Sequence, residues 1–231
     1  VADQLLKFLV QHAPVRGEVV RLDRAWQQMM AAHDYPPAVV RLLGEATVAA
    51  ALLSSNIKFN GALVLQIHGD GPVRLLMVEC QSDLRLRATA KLAPGAVVPD
   101  DADWQALVNA HGRGRCAIML DPRDRRPGQA PYQGVVPLAG AGIAAAIEAY
   151  MRQSEQLDTR LWLASDAAAA AGVLLQRLPD HGGAAGRAVQ DADAWDRVNH
   201  LAGTLQAAEL LATEPATLVR RLFWQESLEH Y

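Results

Sequence analysis

Apolar positions change their period twice between Tyr132 and Leu163. Gln133 to Leu138 is a short β-branched run closed by Pro137 and Gly140. Ile143, Ile147, Tyr150, Met151 and Ser154 then recur at helical spacing, so a strand gives way to a helix. Glu148 and Arg152, four apart with the acid first, predict an ion pair on that helix's exposed face. Ser154, Glu155 and Gln156 are expected to end it before Thr159 to Leu163 returns as a strand.

The same reading extends along the chain. Asp3 to Val10 is too short to settle between strand and helical turn, whereas Val15 to Leu22 alternates as a strand. Ala25 to Ala32 reads as a helix. A longer one opens at Pro36-Pro37, where a missing N–H costs nothing, and runs to about Ser55, apolar on most of its circumference. It should be the buried central helix. Ala62 to Ile67 and Val73 to Glu79 flank Gly69-Asp70-Gly71, which predicts a hairpin with a type I′ turn. Leu84 to Leu92 alternates strictly, with Arg85, Arg87, Thr89 and Lys91 on the wet face. A helix at Asp103 to Asn109 and a strand at Cys116 to Leu120 follow. Leu161 to Ala164 and Gly172 to Leu178 then form a strand pair.

Composition shifts at Pro179. Asp180 to Asp191 reads as a linker, and the remainder as short amphipathic helices to the end. Trp195, Val198, Ala202 and Leu205 fall on one stripe; Leu218, Val219, Leu222 and Phe223 form another, with Thr213 as the expected cap of a helix holding Pro215 in its first turn. The prediction is therefore an α+β fold. A twisted, mostly antiparallel sheet with packed helices occupies 1–178, and a helical linker arm occupies 179–231.

With 231 residues, 51% of them hydrophobic, the chain can support a substantial core. A net charge of −3 argues against a strongly basic nucleic-acid binder. No run of about 20 uninterrupted apolar residues predicts a membrane span, and no basic-plus-apolar leader opens the sequence. Membrane and nucleic acid are not the expected partners. Cys80 and Cys116 are too few for a disulfide framework and lack metal-binding spacing, which fits a reducing cytoplasm.

Candidate chemistry is sparse. Ser154 beside Glu155 has no nucleophile elbow, and helix neighbours point about 100° apart, so they cannot pair as nucleophile and base. His12, His33, His68, His111, His181, His200 and His230 show no helical metal spacing. Gly69-Asp70-Gly71 is followed by no helix and no Gly-Lys-Ser/Thr, so it is a turn rather than a phosphate loop. Arg123, Arg125 and Arg126 interleave with Asp121 and Asp124 as a solvated loop. What remains is apolar surface, above all Leu218, Leu222, Phe223 and Trp224, each worth about 1.5–3 kcal/mol when buried.

Six strings occur in order: VRGEVV at Val15, HDYP at His33, IKFNG at Ile57, GDGP at Gly69, YQGVV at Tyr132 and EAYMRQSEQLDTRL at Glu148. In that order and spacing the whole chain resembles the redox-regulated heat-shock holdases, the thirty-three-kilodalton bacterial chaperonins. The resemblance makes Gly69, Asp70, Gly71, Tyr132, Gly134, Ser154, Glu155, Gln156 and Leu157 structural signatures. It implies an ATP-independent cytoplasmic chaperone that holds unfolding clients under oxidative and heat stress and passes them to ATP-driven foldases. It also implies a C-terminal zinc domain with C-x-C and C-x-x-C motifs, whose oxidation releases zinc and exposes client-binding surface. Neither motif is in this sequence, which is expected to be a core and linker without its switch; Cys80 and Cys116 do not match the zinc ligands.

On this reading Trp195, Val198, Leu205, Leu218, Leu222, Phe223 and Trp224 bind clients or pack the linker. A homodimer, swapped through the linker, is expected. The alternative is a small-molecule enzyme whose pocket gathers Tyr132, Ser154, Glu155 and Arg160. A third reading, RNA binding, requires Arg85, Arg87, Lys91 and Arg123 to Arg126 on one face.

Overall fold

A helix without a polar face has to be enclosed, and helix α2, Pro37–Ser54, is enclosed on both sides. Of its residues 78% are buried, and the sheets that bury them lie on either side. The computed structural model describes residues 2–57, 60–124, 130–179 and 193–231. One sheet is formed by β1 (Gln4–Val10), β2 (Val15–Leu22), β8 (Thr159–Ser165), β9 (Ala170–Arg177) and β10 (Leu228–His230), in the order β10-β1-β2-β9-β8. The second contains β3 (Gly61–His68), β4 (Val73–Gln81), β5 (Leu86–Leu92), β6 (Arg115–Pro122) and β7 (Tyr132–Val136), in the order β5-β4-β3-β6-β7. Every pairing among the described strands is antiparallel. The fold is α+β, with two sheets rather than one.

The two sheets differ in how many faces they bury, and the strand sequences carry the difference. The β2–β9 sheet is covered on one face by α2 and on the other by α5 (Ala194–Ala202), α6 (Ala207–Ala212) and α7 (Pro215–Leu222). Both strands are accordingly buried almost continuously. The second sheet packs one face on α2, flanked by α1 (Arg24–Met30), α3 (Trp104–Val108) and α4 (Ile143–Gln153). Its strands alternate: in β5, Ala88 and Ala90 are buried while Arg87 and Lys91 are exposed. Gly17 marks the tightest approach in the first sheet. It lies opposite Phe8, and a Cβ there would sit 2.0 Å from the Phe8 ring.

Several expectations need correction. Leu84 belongs to a turn, with φ +62°, and β5 starts two residues later. Glu148 does not form the intrahelical pair expected with Arg152; it turns to β8, accepting the Leu161 N–H at 2.7 Å and lying 3.7 Å from Arg160 Nε. Thr213 ends α6, and Glu214 precedes Pro215 at the start of α7, so Thr213 caps nothing there. The chain does not stay helical to its end: β10 pairs with β1 at the sheet edge. The linker assigned to Asp180–Asp191 lies outside the described residues.

Candidate functional site

The signature turn Gly69-Asp70-Gly71 joins β3 to β4, but not as a type I′ turn. Positive φ among the described glycines occurs only at Gly95, Gly112 and Gly140. Close approach explains Gly71 instead, since a Cβ would lie 2.5 Å from the Leu107 carbonyl oxygen and 2.6 Å from that of Ala106. Asp70 then ties down the segment after α3, accepting N–H groups from Arg113 at 2.7 Å and His111 at 3.2 Å. Desolvation alone would raise its pKa. The two backbone hydrogen bonds and the charges of His111 and Arg113 outweigh it, and the carboxyl is held below its usual range. This stabilisation is present above the ordinary carboxylate pKa and is lost as pH falls through the lowered one. In Asp70→Ala we expect the His111 and Arg113 amides to exchange faster while those of α2 are unchanged, as read by hydrogen exchange.

The second signature closes the end of α4. Ser154 ends the helix, and Gln156 takes a left-handed turn at φ +57° that brings the Leu157 N–H to the Met151 carbonyl at 3.0 Å. Glu155 Oε1 accepts the phenols of Tyr132 at 2.9 Å and Tyr150 at 2.8 Å. Burial, then these hydrogen bonds, push the Tyr150 phenol above its ordinary range, so it remains a donor. Gly134 leaves room for that phenol; a Cβ would fall 2.0 Å from its oxygen.

Behind these groups lies a cavity of about 230 Å³ between the two sheets. Its apolar walls come from Leu63, Ile118 and Leu120 of one sheet, Leu174 of the other, Leu53 of α2 and Leu157. Arg16 and Gln176 supply a polar end, and Tyr132 and Glu155 stand at the rim. Of the four residues expected to make an enzyme pocket, only Tyr132 and Glu155 line it. Ser154 is exposed at the helix end, and Arg160 turns towards Glu148. Sequence reading missed Arg16, Gln176 and Tyr150; the first is legible only as a charge on the inward-facing register of β2.

The tail residues gather elsewhere. Val198, Leu205, Leu218, Leu222 and Phe223 are buried in a second apolar cluster with Phe8, Val15, Val19 and Val173, and Trp195 packs half-buried against it. The rings of Phe8 and Phe223 are 5.5 Å apart between centroids. Polar clamps hold the helices down: Arg21, paired with Asp23 at 2.8 Å, donates to the Leu211 carbonyl, and Arg197 pairs with Glu226 at 2.6 Å. Trp224 differs from its neighbours. It is 72% exposed, beside an open groove lined by Leu6, Val219 and Leu228.

Cys80 and Cys116 are both buried, on β4 and β6. They face Leu63 and Ile67 of the strand between, which sets them roughly 16 Å apart on strand spacings, beyond any disulfide or shared metal. No group of three or more metal-binding side chains occurs among the described residues. The residues present therefore do not fit the zinc that the family resemblance implies. Burial pushes the Cys116 thiol up to about 12, so in the folded chain we expect neither labelling by iodoacetamide at pH 8 nor oxidation, both appearing on unfolding. Arg85, Arg87 and Arg123 do come together, lining one shallow open pocket with Glu79 and Gln81, but in mixed company: Arg85 pairs with Asp83 at 2.8 Å, Arg87 lies opposite Glu79, and Arg123 donates to Gln81 at 2.7 Å. Arg125 and Arg126 lie outside the described residues.

Comparison with known proteins agrees with this architecture. The model of the Hsp33 protein family matches residues 3–231. A 33 kDa chaperonin of Methylobacillus flagellatus is 44% identical over 229 residues, covering 99% of this chain and 73% of the relative. One from Chromobacterium violaceum is 44% identical over 228 residues, covering 98% and 72%. The crystal structure of the 33 kDa chaperonin from Thermotoga maritima superposes with a TM-score of 0.74 at 19% identity, over 98% of this chain and 78% of that one, and shares the fold. A family match across nearly its whole length, with relatives of this identity and coverage, means that the chain belongs to the Hsp33 family of chaperones.

Proposed function

We propose that this chain is the core and linker of an ATP-independent holdase that captures unfolding proteins during heat and oxidative stress. Membership of the Hsp33 family carries the reading, through curated relatives named 33 kDa chaperonin. The second apolar cluster supports it: α5–α7 sit over sheet residues that would form an extended apolar face if those helices lifted. In this reading residues 1–178 are the client-holding core and 179–231 the linker. Clients pass to ATP-dependent foldases, and the protein works in the cytoplasm as a homodimer joined through the linker. Zinc binding and redox switching belong to a four-cysteine segment outside this sequence. Cys80 and Cys116 take no part in them, for the burial and separation given above.

The test is light scattering from a thermally unfolding client, without nucleotide. Substoichiometric to equimolar amounts of this chain are expected to suppress aggregation. Unchanged scattering at several-fold excess would count against the holdase. Size-exclusion chromatography with light scattering tests the dimer, a monomer at all concentrations removing it.

A further inference from the structure

The two sheets end in four edge strands, β5, β7, β8 and β10, and three of these are closed. On β5 the Tyr35 phenol donates to the Ala90 carbonyl and accepts the Ala90 N–H, both at 3.0 Å, with Arg87 and Lys91 to either side. On β8 Glu148 accepts the Leu161 N–H. β10 is three residues long and carries Glu229 and His230. Charge, brevity and a side chain on the main chain are ordinary means by which a sheet edge avoids pairing with another chain. β7 is five residues long and uncharged, and its Tyr132, Gln133 and Val135 are exposed.

The ladder fixes which main-chain groups β7 leaves open. The Arg123 N–H donates to the Asn60 carbonyl at 2.9 Å, so odd-numbered residues of β6 turn their main-chain groups towards β3. The even-numbered ones, Cys116, Ile118 and Leu120, turn theirs towards Val136, Gly134 and Tyr132 of β7. The N–H and C=O of Gln133 and Val135 therefore point outwards, and among the described residues no main-chain or side-chain group bonds them. On the solvent face beside this edge, Val135 is 69% exposed, and half-buried Ala117, Met119 and Val64 continue the apolar surface inwards across β6 and β3. Alternating donors and acceptors along an edge are matched by one partner, another extended main chain. Self-pairing of β7 between two copies would run only about 17 Å along the strand, a contact of roughly a few hundred Å², well short of the about 1,000 Å² that a stable interface needs.

The geometry points to the β7 edge as a docking site for an extended segment of an unfolded client, which joins the second sheet as a sixth strand through the main chain of Gln133 and Val135 and lays alternate side chains beside Val135. Main-chain pairing is blind to sequence, and an uncharged edge selects no charge, which suits clients that share only exposed backbone and apolar side chains. The assignment rests on the holdase reading and gives it a specific contact, separate from the surface under α5–α7.

The probe is a fluorescent peptide of alternating valine and serine, blocked at both ends, titrated by anisotropy into the whole chain; amide hydrogen exchange and aggregation suppression are measured in parallel. Saturating peptide is expected to slow exchange of the Gln133 and Val135 amides about tenfold while leaving that of Gly134, already in the β6 ladder, unchanged. Val135→Pro removes an outward N–H and costs the ladder no hydrogen bond, so its thermal midpoint should stay near that of the wild type, with peptide binding weakened about tenfold. Val135→Lys, at an exposed position, is expected to weaken binding about threefold and carries the test should the proline variant fail to fold. Binding within about twofold of the wild type in the folded variants, or Gln133 and Val135 amides left unprotected by saturating peptide, would overturn the docking edge, while intact suppression of aggregation would leave the holdase standing. A wild-type chain that neither binds the peptide nor suppresses aggregation would remove both. Protection of these two amides that grows with protein concentration in the absence of peptide would make the occupant a second copy, and the client assignment wrong.

Discussion

Replacing Phe8 by alanine is expected to destabilise the chain by about 3–5 kcal/mol, the usual cost of emptying a buried phenylalanine site. Phe8 is fully buried and fills the space above Gly17, which has no side chain to expand into the void. It also touches Phe223 across the junction between sheet and tail, so its loss removes an aromatic contact along with apolar area. Loosening should be uneven. Residues 194–224 pack through this cluster, whereas α2 belongs to the other one. Limited proteolysis should therefore cut within 194–224 before the rest of the chain unfolds, and binding of an apolar dye should rise. A denaturation midpoint that moves no more than for a surface substitution, about 0.5 kcal/mol in stability, would show that the tail is not held through Phe8.

Glu45→Gln is expected to stabilise the chain at alkaline pH and to have little effect in acid. Burial raises the Glu45 pKa from 4.5 to about 7, only partly countered by the charge of Arg41 one turn away. Between those values the folded state holds a proton that the unfolded state has released. Stability contributed by this group therefore falls as pH rises from about 4.5 to about 7, and above that range the ionised carboxylate stays buried at full cost. The shift corresponds to about 3 kcal/mol, which glutamine, uncharged at every pH, avoids. Urea denaturation at pH 5 and pH 8.5 measures it: the variant's advantage should appear only at the higher pH. Equal stability of the two proteins at pH 8.5 would mean that Glu45 ionises without penalty.

The sequence by itself determined most of the elements. Strict alternation from Leu84 to Leu92 announced a strand with one wet face, observed as Leu86–Leu92, and the apolar circumference from Pro36-Pro37 to about Ser55 announced an enclosed helix, observed as Pro37–Ser54. These signals are local, because burial on one face or all round imposes a period that is written into consecutive residues. Signature strings located the GDG turn and the end of α4, yet not what they do. Gly71 is glycine because of the Leu107 carbonyl, and Asp70 is aspartate because of amides more than forty residues away.

Only the tertiary structure decided the rest. That the ten described strands form two sheets, that α5–α7 lie down on one of them, and that the chain returns as β10 depend on which apolar faces meet. An amphipathic stripe states that a face must be covered without naming the cover. The cavity behind Tyr132 and Glu155 arises the same way. Arg16 comes from one sheet, Leu120 from the other, and Leu53 from the helix between, so no window of consecutive residues contains it. Packing brings such groups together at distances that sequence spacing does not encode, and there a charge on an inward-facing strand position becomes part of the wall of an otherwise apolar cavity.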